Sequence, residues 1–166
     1  IGFAALTMNK DLGFSASVFG FGAGIFFFGY FLFEVPSNII LEKVGARLWI
    51  ARVMITWGII SGAFAFVKGE TSFYALRFLL GAAEAGFFPG ITFYLATWFP
   101  AEYRARMLAW FVAGIPLSTV IGGPLSGLLL QLDGLGGIAG WKWLFIIEGL
   151  PSALLGIAAI WVLPDA

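Results

Sequence analysis

The sequence holds 166 residues, of which 61% are hydrophobic and 11% charged, with a mean hydropathy of +0.99; a water-soluble globular chain carries roughly 25% charged residues, so an ordinary soluble domain is excluded. Nine basic and nine acidic residues leave a formal net charge of +0, which gives no electrostatic reason to expect nucleic acid as a partner. Cysteine and histidine are absent, which excludes disulfides, cysteine-based metal sites and histidine acid–base chemistry from these residues.

A helix that crosses a hydrocarbon core about 30 Å thick needs about 20 mainly apolar residues. The opening stretch, residues 1–8, is too short to span, and it meets Asn9-Lys10-Asp11 without the basic region of a signal peptide. Residues 1–11 therefore read as the end of a truncated first helix and its loop. Five long apolar runs follow, at 16–41, 48–67, 72–98, 106–130 and 143–163. The linkers are short: residues 42–47, 68–71 and 99–105, then a glycine-rich stretch through Asp133 and Gly140. No soluble domain fits between the runs. The expected architecture is an all-α membrane unit of six helices, five whole and one represented only by its end.

Basic residues orient it. Lys43, Arg47, Arg52, Arg104 and Arg106 fall at one set of helix ends and Lys10, Lys68 and Lys142 at the other, with Arg77 inside a span. Positive loops stay in the cytoplasm, which places residues 42–47 and 99–105 there, in a multi-pass protein of the cell (inner) membrane. Trp49, Trp98, Trp141 and Trp143 stand near predicted span ends, where indoles favour the headgroup level.

Lipid tails give helices no hydrophobic drive to associate, so small residues must allow close backbone approach. The pairs Gly20/Gly24, Gly58/Gly62, Gly86/Gly90 and Gly123/Gly127 have the spacing that puts two glycines on one helix face; 23 glycines in the chain also yield such pairs by chance. Pro36, Pro89, Pro116 and Pro124 fall inside spans, where each removes a backbone donor and can bend its helix.

Each ionisable side chain at the bilayer centre costs about 2.5–3.5 kcal/mol on insertion scales and needs compensation. The candidates are Glu34, Arg77, Glu84 and Glu148. Arg77 and Glu84 are seven residues apart, two turns along nearly the same face of one helix. An arginine presents a planar fork of donors to a carboxylate or phosphate, and a carboxyl withdrawn from water favours its protonated form. One can hold an anion and the other a proton; the competing reading is that they neutralise each other or hold neighbouring helices. Glu148 lies about a turn or so from Trp141 and Trp143, where a carboxylate reaches water, and is read first as structural. Glu34 is deeper and is also read first as structural, but it shares a helix face with Tyr30, Ser37 and Asn38 that can line a cavity.

Several of these segments match a known pattern. Asn38-Ile39-Ile40-Leu41-Glu42-Lys43-Val44-Gly45-Ala46-Arg47 resembles the acidic–basic–x–Gly–x–basic loop between the second and third helices of major facilitator superfamily transporters. Arg77-Phe78-Leu79-Leu80-Gly81-Ala82-Ala83-Glu84-Ala85-Gly86 resembles the fourth helix of that superfamily, and Ile121-Gly122-Gly123-Pro124-Leu125-Ser126-Gly127 its fifth. Glu34-Val35-Pro36-Ser37-Asn38 and Ala83-Glu84-Ala85-Gly86-Phe87-Phe88-Pro89-Gly90 are most similar to the anion:cation symporter branch, which imports tartrate, phthalate, hydroxyphenylacetate and sugar acids and includes vesicular glutamate transporters and sialin as relatives. The resemblance implies that Arg77 binds a substrate carboxylate, that Glu84 takes part in proton coupling, and that Tyr30 lines the site. It also gives Glu42, Lys43 and Arg47 a part in gating. Asn38 stands where the loop signature normally has glycine and Ala46 where it has a basic residue, and the acidic–basic pair of the branch's first helix would lie before Ile1.

The expectation is thus the N-terminal half of a twelve-helix carrier that imports a small organic anion with protons by alternating access, against a C-terminal six-helix half. Substrate contacts are expected from Arg77, Tyr30 and Asn38, proton coupling from Glu84, and cavity or gating roles from Glu34, Glu42, Lys43 and Arg47. No metal or cofactor is expected; a proton gradient supplies the energy, with sodium left open as the coupling ion. The alternatives are a carrier of neutral solutes such as sugars, in which Arg77 and Glu84 are a structural pair, and a structural membrane subunit. A membrane enzyme lacks a nucleophile–base pair or a metal cluster in this sequence.

Overall fold

The computed structural model describes residues 2–165, and every regular element among them is helical. A short 3-10 turn, Gly2–Ala4, leads into α1 (Ala5–Leu12), followed by α2 (Ala16–Val44), α3 (Ala46–Ala63), α4 (Glu70–Glu84), α5 (Phe87–Trp98), α6 (Ala101–Leu130) and α7 (Gly140–Val162). Five units are long and apolar enough to cross a membrane: Ala16–Val44, Ala46–Phe66, Glu70–Trp98, Ala101–Leu130 and Gly140–Val162. The protein is a multi-pass, all-helical membrane protein.

The linkers are more helical than their polarity suggests. Residues 42–47, expected as a loop, contain one non-helical residue: Glu42 and Lys43 continue α2, Gly45 turns at φ +88°, and Ala46 starts α3. Glutamate and lysine are good helix formers, and glycine adopts positive φ without steric cost. Ser72 Oγ accepts from the backbone N–H groups of Lys68 and Gly69, both at 3.2 Å, so α4 begins at Glu70 rather than 72. Within 99–105 the chain turns at Pro100 and is helical again from Ala101, with Glu102 favourably placed in the first turn. Asp133 Oδ1 accepts from Gly140 N–H at 2.8 Å and draws the start of α7 back to Gly140.

The larger departure lies in the expected continuous helix 72–98, which breaks at Ala85 and Gly86. Gly86 has φ +85°, and a Cβ there would sit 2.7 Å from Ser37 Cβ and 2.9 Å from Trp49 Nε1. A break inside a membrane frees backbone carbonyls that must find donors. Arg52 supplies one: its Nη1 donates to Ala83 O at 3.4 Å while its guanidinium lies 4.0 Å from the centre of the Trp49 ring. Arg52 is therefore a residue of the bundle and not a loop charge, which leaves four basic residues on the expected cytoplasmic side against three. Trp49 and Trp141 are buried within the bundle, at 7% and 1% exposure, and Trp141 Nε1 donates to Asp11 Oδ2 at 2.8 Å.

Glycine sets two tight interfaces. Between α3 and α7, a Cβ on Gly58 would meet Ala153 N at 2.6 Å and Gly149 O at 2.7 Å, and one on Gly149 would meet Gly62 N at 3.0 Å. Between α2 and α4 the contact is made by Gly22, Gly29 and Gly81, against Phe73, Phe78 and Phe26 respectively. The expected pair Gly20/Gly24 is on a different face, with nothing within 4 Å; Gly86 and Gly90 both pack, whereas Gly123 reaches only Phe3 at 3.9 Å and Gly127 nothing. Two apolar clusters cap the bundle, one containing Phe64, Phe73, Trp141, Leu144 and Phe145, the other Leu41, Ala46, Trp49, Ile50 and Val53. Along α3 they are separated by the turn that carries Trp57, Gly58 and Ser61, and there the interior opens.

Candidate functional site

That opening is a half-open cavity of about 350 Å³ lined by residues of α2, α3, α4 and α7 and by Phe64. Most of its wall is apolar, contributed by Phe26, Trp57, Phe64, Leu80 and Phe145 among others, while Arg77, Glu84 and Glu148 supply ionisable groups and Ser61 and Ser152 supply hydroxyls. Arg77 projects from the middle of α4 and is only 8% exposed. Its Nε donates to Gly22 O at 3.2 Å, which is possible because Gly22 lets α2 close on α4. Its guanidinium lies 4.7 Å from the centre of the Phe26 ring, a distance at which the aromatic face attracts a cation. Only one of the five guanidinium donors is taken up by the Gly22 carbonyl.

Glu84 is the last residue of α4 before the break. Among the described residues the ion pair within contact distance is Arg47 with Asp165, so Arg77 and Glu84 line one cavity without neutralising each other by contact. A buried guanidinium with free donors beside a separate carboxyl can take a small anion and a proton into the same volume.

The remaining expected site residues are placed elsewhere. Tyr30 is half-buried one turn beyond Phe26, its ring centre 6.4 Å from that of Phe26, and its backbone N would meet a Cβ on Gly81 at 3.0 Å. It flanks the cavity without lining it. Glu34 and Asn38 follow along α2, and the buried Asn38 Oδ1 has no hydrogen-bond partner among the described residues. Glu42 and Lys43 are exposed at the end of α2. Arg47 joins the start of α3 to the far end of α7, with Nε 2.7 Å from Asp165 Oδ1 and Nη1 donating to Ile160 O at 3.3 Å.

Glu148, read from the sequence first as a structural residue, is half-buried. It faces inward, lines the cavity, and its Oε1 accepts from Ser126 Oγ of α6 at 2.7 Å. Ser126 is 1% exposed. The available signal was the i, i+4 relation of Glu148 to Ser152, which puts two polar groups on one face of an apolar helix; the nearby tryptophans outweighed it.

The whole chain, residues 1–166, matches the family model described as Major Facilitator Superfamily. It is 68% identical over 165 residues to the "Putative tartrate transporter" of Agrobacterium vitis, covering 99% of this chain and 38% of that protein. It is 50% identical over 165 residues to the quinolone resistance transporter of Acinetobacter baumannii and 44% identical over 165 residues to the inner membrane transport protein RhmT of Escherichia coli, with 99% of this chain and 38% of each relative covered. The chain thus spans a little over a third of the length of these relatives, and it belongs to the major facilitator superfamily.

Proposed function

We propose that this major facilitator superfamily chain forms the N-terminal half of a secondary active transporter of the inner membrane that imports a small organic anion together with protons. The observation that carries the reading is Arg77: a guanidinium 8% exposed, inside membrane-spanning helices, facing a cavity of about 350 Å³ that it shares with Glu84. Its guanidinium makes no contact ion pair among the described residues and has donors left beyond the one given to Gly22 O, and a bidentate carboxylate is the ligand that matches a guanidinium fork. The tartrate transporter relative, which bears 68% identity, supports a hydroxy-carboxylate among the candidate cargoes.

In this reading a proton on Glu84 and the anion on Arg77 load together, the two six-helix halves rock about the loaded site, and both are released on the side of residues 42–47 and 99–105, the cytoplasm. Energy comes from the proton gradient, and no metal or organic cofactor takes part.

The test is uptake by the complete transporter in proteoliposomes, with radiolabelled tartrate, phthalate, hydroxyphenylacetate and a sugar acid, with and without an inward proton gradient. Gradient-driven uptake of one acid by the wild type, its loss in Arg77→Ala, and gradient-indifferent exchange in Glu84→Gln are the expected results. Uptake unaffected by both the gradient and Arg77→Ala would return these side chains to a structural role and favour a neutral cargo.

A further inference from the structure

Helix α3 lines the cavity with a single stripe: Trp57, Gly58 and Ser61 recur at the spacing of one helix face, and Phe64 of the turn that follows continues it. Ser61 supplies the hydroxyl of that stripe. We propose that Ser61 is a specificity residue of the site: its hydroxyl reads a hydroxyl on the cargo, so that a hydroxylated carboxylate is preferred to the same carbon chain without hydroxyls. This rests on the reading above that Arg77 binds an anion, and adds to it a residue of a different helix and a second recognised group.

The hydrogen bonds of the other hydroxyls carry the argument. A serine or threonine inside a helix commonly bonds to a carbonyl three or four residues earlier, and Thr56, Thr92, Thr97, Ser118 and Thr119 do so at 2.7–3.2 Å. Ser126 gives its hydrogen to Glu148 at 2.7 Å and Ser152 to Met54 O at 3.2 Å. Ser61 is half-buried within a membrane-spanning unit, yet its hydroxyl bonds neither to the Trp57 carbonyl nor to any other group among the described residues. Its donor and its lone pairs are uncommitted, and it stands on a cavity wall that is mostly apolar. A hydroxyl left unpaired away from bulk water is unfavourable, and a cargo hydroxyl, which both donates and accepts, completes it. On α7, Ser152 has spent its hydrogen on Met54 O and offers the cavity only acceptor capacity. A carboxylate with hydroxyls along its chain therefore suits Arg77 at one end and Ser61 and Ser152 at the other. A bare dicarboxylate brings a second acceptor to Ser152, which has no donor to give it.

The competing role for Ser61 is a helix contact, which shows in stability and not in the choice of cargo. The complete transporter in proteoliposomes is given radiolabelled tartrate, gluconate and succinate, and kcat/KM is measured for each; succinate has the carbon chain and both carboxylates of tartrate but no hydroxyl. A ratio taken on one preparation does not depend on how much of the protein is active. Wild type is expected to favour at least one hydroxylated acid over succinate, and Ser61→Ala to lower that preference by about 3–10-fold, the worth of one neutral hydrogen bond. Thr92→Ala removes a hydroxyl committed to Phe88 O and outside the cavity, and is expected to keep the wild-type ratio. If Ser61→Ala yields no folded carrier, Ser61→Cys, close in shape but a weak hydrogen-bonder, is judged by the same ratio. An unchanged ratio, with or without a lowered melting midpoint, would assign Ser61 to packing and overturn the inference. A wild type that admits neither hydroxylated acid better than succinate would also overturn it. In both cases the anion-binding reading survives if Arg77→Ala still abolishes uptake; uptake indifferent to Arg77→Ala would defeat that reading, and this inference with it.

Discussion

Replacing Gly81 with alanine adds a single methyl group at the point where α2 lies directly on α4. The new Cβ would collide with Phe26 O and stand 2.9 Å from Phe26 C and 3.0 Å from Tyr30 N, all of them backbone atoms that no rotamer change can move. Relief to ordinary contact distances near 3.5 Å requires α2 to shift by on the order of 1 Å. Overpacking of this kind costs about 1–3 kcal/mol, and a rigid backbone neighbour puts Gly81 at the upper end, offset by about 1 kcal/mol of gained helix propensity. The net loss is about 2 kcal/mol, which for a unit of 150–250 residues lowers the melting midpoint by roughly 4–8 °C. The same shift stretches the 3.2 Å bond from Arg77 Nε to Gly22 O beyond hydrogen-bonding range, so anion uptake falls as well. The control is Gly24→Ala, where nothing lies within 4 Å and the midpoint should hold or rise. The assay is thermal melting of both purified variants in detergent, followed by uptake in proteoliposomes. Equal midpoints for Gly81→Ala and Gly24→Ala would refute the claim that glycine contact, as opposed to glycine frequency, holds α2 to α4.

Gly86→Ala is expected to be worse than Gly81→Ala in the same melting assay, because φ +85° disfavours any side chain by about 1–2 kcal/mol before its contacts with Ser37 and Trp49 are counted; a wild-type midpoint would show that the break closes without penalty. Arg77→Lys keeps a cation but loses the planar fork, and anion affinity measured by binding to the purified transporter should weaken by about 10–100-fold, the equivalent of one or two hydrogen bonds to a charged group. A lysine variant that binds as well as wild type would show that charge alone suffices. Arg47→Ala removes an ion pair whose Asp165 partner is 73% exposed, so its stability cost should stay under about 1 kcal/mol and shrink in high salt; a salt-insensitive larger loss would transfer the effect to the Ile160 carbonyl bond.

The bundle was legible because its physics is local. Apolar runs of the right length, punctuated by Lys43, Lys68 and Arg104, are forced by lipid thickness and backbone satisfaction whatever the tertiary arrangement. The pairing of Arg77 with Glu84 was legible for the same reason, since two turns of one helix place them on one face. What escaped depends on which face meets which neighbour. Gly20/Gly24 and Gly22/Gly29 are equally plausible stripes on paper, and only the position of Phe73 and Phe78 on α4 selects the second. The break after Glu84 escaped because Ala85, Gly86 and Pro89 are all tolerated in a membrane helix, and the interruption depends on Arg52 arriving from α3 to satisfy a carbonyl. That Glu148 lines the cavity escaped because its partner, Ser126, comes from α6, and only the packing of α6 on α7 brings the two together.

Arg52 and Arg77 serve as each other's control on whether an intramembrane arginine here has more than a structural task. Both reach a backbone carbonyl on a neighbouring helix, and both lie over an aromatic ring. For Arg52 those two contacts answer a defined need, the carbonyl freed by the break at Ala85 and Gly86, and it does not line the cavity. The carbonyl that Arg77 meets, Gly22 O, belongs to the uninterrupted interior of α2, where the ladder of backbone bonds already provides a donor, so no orphan explains its presence. What distinguishes Arg77 is the volume in front of it and the two carboxyls that share that volume. That asymmetry between two arginines of the same bundle is what the comparison of Arg77→Lys with an Arg52→Lys variant probes: anion affinity should fall in the first, and stability alone in the second.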